Sequence, residues 1–231
     1  MNFPILCIDT ATKACSVSLF DREKVWAQRN VIEDGYVHAE QLHVLCDEVL
    51  HEAGIEAEDL HAVAVGKGPG SYTGLRIGVS AAKGFAFGVG IPLISLPTLQ
   101  IMSAAALDCE NIEEGILRPL LDARRMEVYS AAYDISLREM KHCQALLLEE
   151  SPFAQELEKG PVYFFGDGMP KAREDLQAHP HARFIEDIHP NTALVKDLVF
   201  KKLEAGDVED VAYFEPFYLK DFIAKLPKKM L

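Results

Sequence analysis

The sequence is poor in cysteine and lacks the cysteine spacings that hold metals or perform redox chemistry. It contains five cysteines in 231 residues, and no two of them form a C-x-x-C pair. An odd number without paired spacing argues against a disulfide framework. Because several of these cysteines lie within apolar runs, we expect reduced, mostly buried thiols, as in a cytoplasmic protein.

Positive charge is also scarce. Lysine and arginine together number 23 against 36 aspartates and glutamates, which gives a formal net charge of −13. A surface this acidic repels phosphate backbones, so the chain is not expected to grip a nucleic acid by itself. Lys225, Lys228 and Lys229 form a short basic patch, which we interpret as part of a solvated terminus.

Long apolar runs are missing as well. Asp9 interrupts the first apolar run, so no signal peptide is expected, and no later run reaches the length that crosses a membrane. A hydrophobic content of 49% is nevertheless enough for a packed core. The composition therefore predicts a globular cytoplasmic protein without a membrane partner.

The familiar catalytic motifs are absent. No H-E-x-x-H, Walker A or G-x-S-x-G string occurs, and Ser71 lies in G-P-G-S-Y-T-G instead. His38 and His43 are five residues apart, which separates them by roughly 140° around a helix. Since these two rings cannot share a metal ion, we expect no metal site, and no nucleophile with a neighbouring base is evident either.

A glycine-rich stretch between two regular elements is the most distinctive feature that is present. Ala62–Val65 is a short apolar run typical of a buried strand, and Ser71 and Thr73 can each cap a helix predicted over 74–87. The turn between them can cradle a phosphate on free backbone N–H groups, or it can pack the helix tightly on its sheet. The spacing fits neither common phosphate-binding string and so favours packing, but both interpretations stay open.

Small residues repeat along this predicted helix. Gly74, Gly78, Ala82 and Ala86 are four residues apart and therefore lie on one face. A stripe of this kind lets another helix or a sheet approach the backbone closely.

One order of elements occurs twice along the chain. Three strands, a helix, a strand and a helix are predicted within residues 1–110, and again within a smaller unit over residues 111–231. In each unit the first strand ends in a carboxylate, Asp9 or Asp122. The duplication predicts a two-lobed α/β protein with the actin-like (ASKHA, ribonuclease H-like) fold. Ligands of such sheets bind at the strand ends.

The strand-end residues support one hypothesis of enzymatic activity. Asp9 and Thr10 of the first unit can face Asp122, Arg124 and Arg125 of the second across a cleft. The carboxylates would then hold Mg²⁺ and the cations would hold phosphate, as in a small ATPase or kinase. The alternative is that both carboxylates only accept hydrogen bonds from the turns that follow their strands.

Five strings in the sequence resemble the TsaB (YeaZ) family. This family is the non-catalytic member of the bacterial machinery that makes N6-threonylcarbamoyladenosine in tRNA. The resemblance covers nearly the whole chain and is weakest from about 171 to 210. The strings are ILCIDTAT at 5–12, GPGSYTGLRIG at 68–78, LDARRMEVY at 121–129, FFGDG at 164–168 and PFYLK at 216–220.

The resemblance implies a scaffold and activator of the TsaD subunit with no catalysis of its own. TsaD modifies the adenosine beside the anticodon of tRNAs that read codons beginning with A. A TsaE-like ATPase would bind at the junction of the two proteins, and tRNA would be contacted only through the complex. ATP and Mg²⁺ would belong to the complex, with no cofactor bound by this chain alone. In isolation the chain would form a homodimer.

The resemblance also implies where the subunits meet. Two predicted helices, 38–52 and 74–87, would pair with the same two helices of TsaD. A Gly78→Leu substitution is then expected to block pairing while leaving the fold intact. The expected interface residues are Leu42, Leu45, Val49, Gly70, Ser71, Thr73, Gly74, Leu75, Arg76, Gly78, Val79 and Ala82.

Overall fold

The computed structural model of the protein describes residues 3–32 and 38–220. Within these residues the chain forms two five-stranded sheets and six α-helices. The elements of the first half are β1 (Ile5–Asp9), β2 (Ala14–Phe20), β3 (Val25–Ile32), α1 (His38–Ala53), β4 (Ala62–Gly66), α2 (Tyr72–Val89), β5 (Leu93–Leu96) and α3 (Thr98–Cys109).

The second half repeats the order with shorter helices. Short 3-10 turns lie at Ala57–Asp59, Leu148–Glu150 and Thr192–Val195. The elements are β6 (Ile116–Asp122), β7 (Glu127–Tyr133), β8 (Glu139–Leu147), α4 (Ala154–Leu157), β9 (Val162–Phe165), α5 (Met169–Leu176), β10 (Ala182–Ile185) and α6 (Lys196–Glu204).

The two sheets share one topology. The first has the strand order β3-β2-β1-β4-β5, and the second has the equivalent order β8-β7-β6-β9-β10. In each sheet the first two strands are antiparallel, and the first strand pairs in parallel with the fourth. The predicted duplicated, actin-like α/β fold is therefore confirmed.

The first sheet is covered on both faces. Leu6 and Ile8 of β1 pack with side chains of α1 and α2. Ile5 and Cys7 point to the opposite face and pack with side chains of α3 and α6. Because both faces are buried, β1 and β4 are nearly continuous apolar runs, as in other sheets covered by helices on both sides.

Two helices connect the halves of the chain. Ile101 and Ala104 of α3 pack against the first sheet, whereas Leu99 and Met102 pack against the second. Although α6 follows the second sheet in sequence, its side chains join the core of the first. The division at residue 110 stays a prediction, since the chain after residue 191 returns to the first sheet.

The strand that the sequence located least well is β8. β8 begins at Glu139, in a stretch whose composition does not mark it as a strand. Its first residues are polar, and its side chains are exposed or half-buried because β8 is the edge of its sheet. A strand that begins with exposed, mostly polar side chains carries no apolar alternation by which to recognise its start.

The burial of the cysteines and the character of the helices agree with what the composition predicts. All five cysteines are free, and Cys7, Cys15 and Cys46 are buried, so the expectation that most of the thiols are buried is confirmed. Within residues 3–32 and 38–220, no helix has the length and apolar character needed to cross a membrane.

Candidate functional site

The glycines before and within α2 pack directly on the end of β1. A Cβ atom on Gly70 would lie 2.2 Å from the carbonyl oxygen of Ala11, and one on Gly74 would lie 2.1 Å from that of Thr10. A Cβ atom on Gly78 would lie 2.3 Å from Thr10 Oγ1. No side chain fits at these distances. The expectation that Gly78→Leu spares the fold is therefore wrong.

Hydrogen bonds reinforce this contact between the two elements. The Thr10 hydroxyl donates to the Gly74 carbonyl oxygen at 2.7 Å, and the Ser71 N–H donates to the Ala11 carbonyl oxygen at 2.7 Å. Ser71 also caps α2, since its Oγ accepts from the Gly74 N–H at 3.2 Å. These contacts agree with the interpretation that the glycine turn packs the helix tightly on its sheet.

Asp9 is a buried structural carboxylate. It has no exposed surface, and it accepts hydrogen bonds from the Ala11 N–H at 3.0 Å and from Thr98 Oγ1 at 2.9 Å. A Cβ atom on Gly66 would lie 1.8 Å from its Oδ2. Burial raises the pKa of Asp9 from 3.8 to about 6 against the opposing effect of both hydrogen bonds. Asp9 therefore does not reach a ligand in the cleft.

Asp9→Asn is expected to flatten the pH dependence of stability between about pH 4 and pH 6. Its pKa of about 6 in the folded protein exceeds the ordinary value of 3.8. Over this range the folded state keeps a proton that the unfolded state releases, so the stability of the wild type falls as pH rises. Urea unfolding at pH 4.5, 5.5 and 7 measures this slope. An unchanged slope in the variant would contradict the assignment.

A cleft with a volume of about 670 Å³ lies between the two lobes. Three segments contribute most of its walls: the turn that leads into α2, the turn between β6 and β7, and the chain that follows α6. The lining residues include Ala11, Thr12, Gly70, Ser71, Tyr72, Asp122, Arg124, Arg125, Glu127, Tyr129, Asp167, Phe217, Tyr218 and Lys220. Of the predicted nucleotide-binding residues, Asp122, Arg124 and Arg125 line the cleft. Asp9 and Thr10 are buried instead.

The turn between β6 and β7 holds two arginines in an unusual backbone conformation. Arg124 has a φ of 72° and Arg125 a φ of 48°, the left-handed region that costs an L-residue roughly 1–2 kcal/mol. The Arg124 N–H donates to Asp122 Oδ1 at 2.6 Å, and the Ala123 N–H donates to the Glu127 carbonyl oxygen at 3.1 Å. The turn therefore presents two adjacent guanidinium groups at the cleft.

Each carboxylate of the cleft already has a partner. Asp122 Oδ1 accepts from Lys171 Nζ at 2.7 Å. Asp167 Oδ1 accepts from the backbone N–H of Asp122 at 2.9 Å, and burial raises the pKa of this carboxyl. Glu127 forms an ion pair with Lys220. Among the described residues, no group of three or more His, Cys, Asp or Glu side chains is arranged to hold a metal ion.

A segment near the end of the described chain, residues 214–220, crosses from one lobe to the other; we call it the closing segment. The Phe217 N–H donates to the Lys67 carbonyl oxygen at 2.7 Å. The ring of Tyr218 lies 5.1 Å from that of Tyr72 in the first lobe, and Lys220 pairs with Glu127 in the second. The sequence offered PFYLK only as a family marker, because nothing local predicts these distant contacts.

The predicted interface residues divide between the two faces of α1 and α2. Thr73 and Arg76 are exposed, and Gly70 and Ser71 are half-buried. The others are buried within the chain's own core, so the surface available to a partner carries different side chains. The buried residues are Leu42, Leu45, Val49, Gly74, Leu75, Gly78, Val79 and Ala82.

The outward face of α1 and α2 combines small and apolar residues with charged side chains of α1 such as Asp47 and Glu48. Phe87 is 82% exposed and Val44 is 54% exposed. Gly84, Gly88 and Ser80 lie on the same side of α2, and a Cβ atom on either glycine would meet nothing within 4 Å. A glycine inside a helix costs roughly 1 kcal/mol relative to alanine. No contact within the described residues explains why glycine, with this cost, stands at positions 84 and 88.

Two lobes of the form βββαβαβα around a central cleft define a protein of the actin-like class. The family model for TsaD, tRNA N6-adenosine threonylcarbamoyltransferase, matches residues 36–227. The tRNA threonylcarbamoyladenosine biosynthesis protein TsaB of Escherichia coli is 39% identical over 236 residues, which cover 97% of this chain and 99% of that protein. The chain belongs to the TsaB family, whose members serve in tRNA threonylcarbamoyladenosine biosynthesis.

Further relatives agree with this family. The Bacillus subtilis TsaB protein is 27% identical, over 94% of this chain and 93% of that protein. The match to Haemophilus influenzae TsaB is 38% identical and spans 55% of this chain and about half, 52%, of that protein. The structure of YeaZ from Pseudomonas aeruginosa has the same fold, with a TM-score of 0.80, 24% identity and coverage of 94% and 100% of the two chains.

Proposed function

We propose that this chain is a non-catalytic subunit that binds a TsaD-type threonylcarbamoyltransferase and stabilises its active conformation. The complex would form N6-threonylcarbamoyladenosine in tRNAs that read codons beginning with A. The stabilisation is a population shift, because a partner that binds one conformation better than another favours that conformation. The observation that carries the proposal is the outward face of α1 and α2.

The outward face suits close packing of helices from a second protein. Ser80, Gly84 and Gly88 let another backbone approach, since no side chain stands between the two helices. Phe87 and Val44 supply the apolar area that such a contact buries, and an aromatic anchor is a common energetic centre of an interface. A partner with the same fold carries equivalent helices, so one surface serves both a homodimer in isolation and a heterodimer with the transferase.

The burial of Asp9 supports a role without catalysis by this chain. Metal-dependent phosphoryl transfer requires carboxylates that reach the metal and the phosphates. Asp9 is engaged by Ala11 and Thr98 and has no exposed surface, which removes the Asp9–Asp122 pair of carboxylates on which the ATPase or kinase hypothesis depends. ATP and Mg²⁺ would act in the complex with a TsaE-type ATPase, in the cytoplasm, and tRNA would bind through the complex.

Gly84→Leu is expected to weaken binding of the TsaD-type subunit by about 100-fold or more, the loss typical of a disrupted interface centre. The variant should fold at least as well as the wild type, because leucine has the higher helix propensity and meets open space in the isolated chain. Isothermal titration calorimetry of the two purified proteins gives the affinities, and urea unfolding gives the stabilities.

The matched control is Ala178→Leu, which adds the same side chain at an exposed position of the second lobe and should bind like the wild type. Equal affinity of the Gly84→Leu and Ala178→Leu variants would contradict the proposed interface. Transfer of threonylcarbamoyl to tRNA, reconstituted with and without this chain, tests activation. ATP turnover by the chain alone that Asp122→Ala abolishes would favour the ATPase or kinase instead.

A further inference from the structure

The closing segment, residues 214–220, is held along α2 by side chains of that helix. Lys83 Nζ donates to the carbonyl oxygen of Ala212, just before the segment, at 3.2 Å and to that of Phe214 at 2.9 Å. Arg76 Nε donates to the hydroxyl of Tyr218 at 3.3 Å. The segment therefore lies against the same helix that carries the proposed partner surface.

Arg76 belongs both to that surface and to the contacts of the closing segment. Positions 76, 80 and 84 are four residues apart and all are exposed, so Arg76 continues the outward face by one turn of α2. Its guanidinium carbon lies 4.4 Å from the ring centre of Tyr72, and it holds Tyr218 by one long hydrogen bond. A carboxylate accepts from a guanidinium more strongly than a neutral phenol does. A partner that offers a carboxylate at this position would therefore draw Arg76 away from Tyr218.

An exposed ion pair ties the other end of the closing segment to the second lobe. Lys220 pairs with Glu127 at the start of β7, and 42% and 20% of the two side chains are exposed. Lys220 Nζ also lies 5.8 Å from the ring centre of Tyr129. An ion pair with this much exposure contributes little to stability and is weakened by salt. This tie can therefore open while both lobes stay folded.

Two other connections between the lobes are buried. The helix α3 packs on both sheets, and the backbone N–H of Thr192 donates to Ser16 Oγ at 3.0 Å in the interior. Buried packing costs far more to break than an exposed ion pair. Loss of the ion pair should then change the angle between the lobes about these buried connections and leave the fold in place.

We propose that the closing segment is a latch between the partner surface and the second lobe. In the latched state Arg76 binds Tyr218 and Glu127 binds Lys220, and the angle between the lobes is fixed. In the unlatched state both contacts are open and Arg76 is available to a partner. Binding of an acidic partner group at Arg76 favours the unlatched state, since a ligand shifts an equilibrium toward the state that it binds better. The latch is a property of the isolated chain, whereas its coupling to a partner rests on the proposed function.

The first test measures resonance energy transfer between the lobes of the full-length chain. Trp26 on β3, the single tryptophan, is the donor, and a dye attached through Ala178→Cys in the second lobe is the acceptor. Cys109→Ser and Cys143→Ser remove the two thiols that are not buried, so the dye attaches at one position.

Lys220→Ala and Glu127→Ala are each expected to lower the transfer efficiency, because the lobes open when the ion pair is lost. The double variant should show no further loss, since both substitutions break one contact, and the charge swap Lys220→Glu/Glu127→Lys should recover the wild-type value. High salt should lower the efficiency in the wild type but not in Lys220→Ala. The matched control is Lys171→Ala, which breaks an ion pair with Asp122 inside the second lobe and should leave the transfer unchanged. Unchanged transfer in Lys220→Ala, in Glu127→Ala and at high salt overturns the latch.

Calorimetric titration with a purified TsaD-type subunit tests the coupling. Lys220→Ala, which is already unlatched, should bind about twofold to fivefold more tightly than the wild type, since the partner no longer has to open the ion pair. Equal affinity of the two, with the transfer lowered in the isolated variant, overturns the coupling. Failure of Gly84→Leu to weaken binding contradicts the partner surface instead, and it leaves the transfer measurements on the isolated chain unaffected.

Discussion

Replacing Glu156 by alanine is expected to lower the free energy of unfolding by about 3–5 kcal/mol, the usual cost of breaking a buried ion pair from one side. Glu156 of α4 is 5% exposed and Arg118 of β6 is 3% exposed. Arg118 Nε donates to Glu156 Oε2 at 2.7 Å, and Lys141 Nζ lies 2.6 Å from Oε1. Without Glu156, the Arg118 guanidinium stays buried with no opposite charge.

The same pair predicts a pH dependence. Burial alone would raise the pKa of Glu156, but the hydrogen bonds from Arg118 and Lys141 outweigh it and hold the pKa below its ordinary value of 4.5. An acid whose pKa is depressed by folding adds stability above its unfolded pKa and loses that stability as pH falls. The difference in stability between the wild type and Glu156→Ala, measured by urea unfolding, should therefore be smaller at pH 3.5 than at pH 7.

Two controls isolate the effect of burial. Glu186→Ala breaks a pair with Arg173 on the surface and should cost no more than about 1 kcal/mol. The double variant Arg118→Met/Glu156→Leu replaces both charges by apolar groups and should recover most of the lost stability. If Glu156→Ala is no more destabilising than Glu186→Ala, the ion pair of Glu156 with Arg118 does not stabilise the protein as a buried pair should.

Replacing Gly78 by alanine is expected to lower the free energy of unfolding by about 1–3 kcal/mol, the range for overpacking a core. The added methyl would lie 2.3 Å from Thr10 Oγ1, whose hydroxyl donates to Gly74. The helix must move away from β1 or Thr10 must give up that hydrogen bond. Urea unfolding with the fluorescence of the single tryptophan as the signal measures the change.

Gly84→Ala is the matched control in the same helix. Its new methyl meets nothing within 4 Å, so only helix propensity changes, and stability should rise by about 0.5–1 kcal/mol. Opposite signs for the two variants would establish which face of α2 is packed within the chain. A loss of stability in Gly84→Ala would instead mean that the outward face is already covered within the isolated chain.

The order of the helices and strands could be predicted from the sequence because the signals that mark each element are local. β1 and β4 are apolar runs of strand length. α2 carries a capping Ser71 at its start and Gly90 with a φ of 78° at its end. The duplicated order followed from these signals and led to the actin-like class. The five strings that resemble TsaB led to the family.

Which face of α2 packs against the core could not be predicted from such local signals. Gly74, Gly78 and Ala82 form one stripe, which is buried, and Ser80, Gly84 and Gly88 form another, which is exposed. Glycine has no side chain whose polarity distinguishes a buried face from an exposed one. Only the contact with Thr10 shows that the first stripe faces the core, which leaves the second for a partner.

The sequence by itself determined the acidic surface, the mostly buried thiols, the duplicated α/β fold and the TsaB family, because composition, periodicity and short strings are written along the chain. Tertiary structure alone decided that Asp9 is buried while Asp122 and the two arginines line the cleft. It also decided that the closing segment joins the lobes. Such contacts unite residues far apart in the chain, and no local pattern encodes which distant surface a side chain will meet.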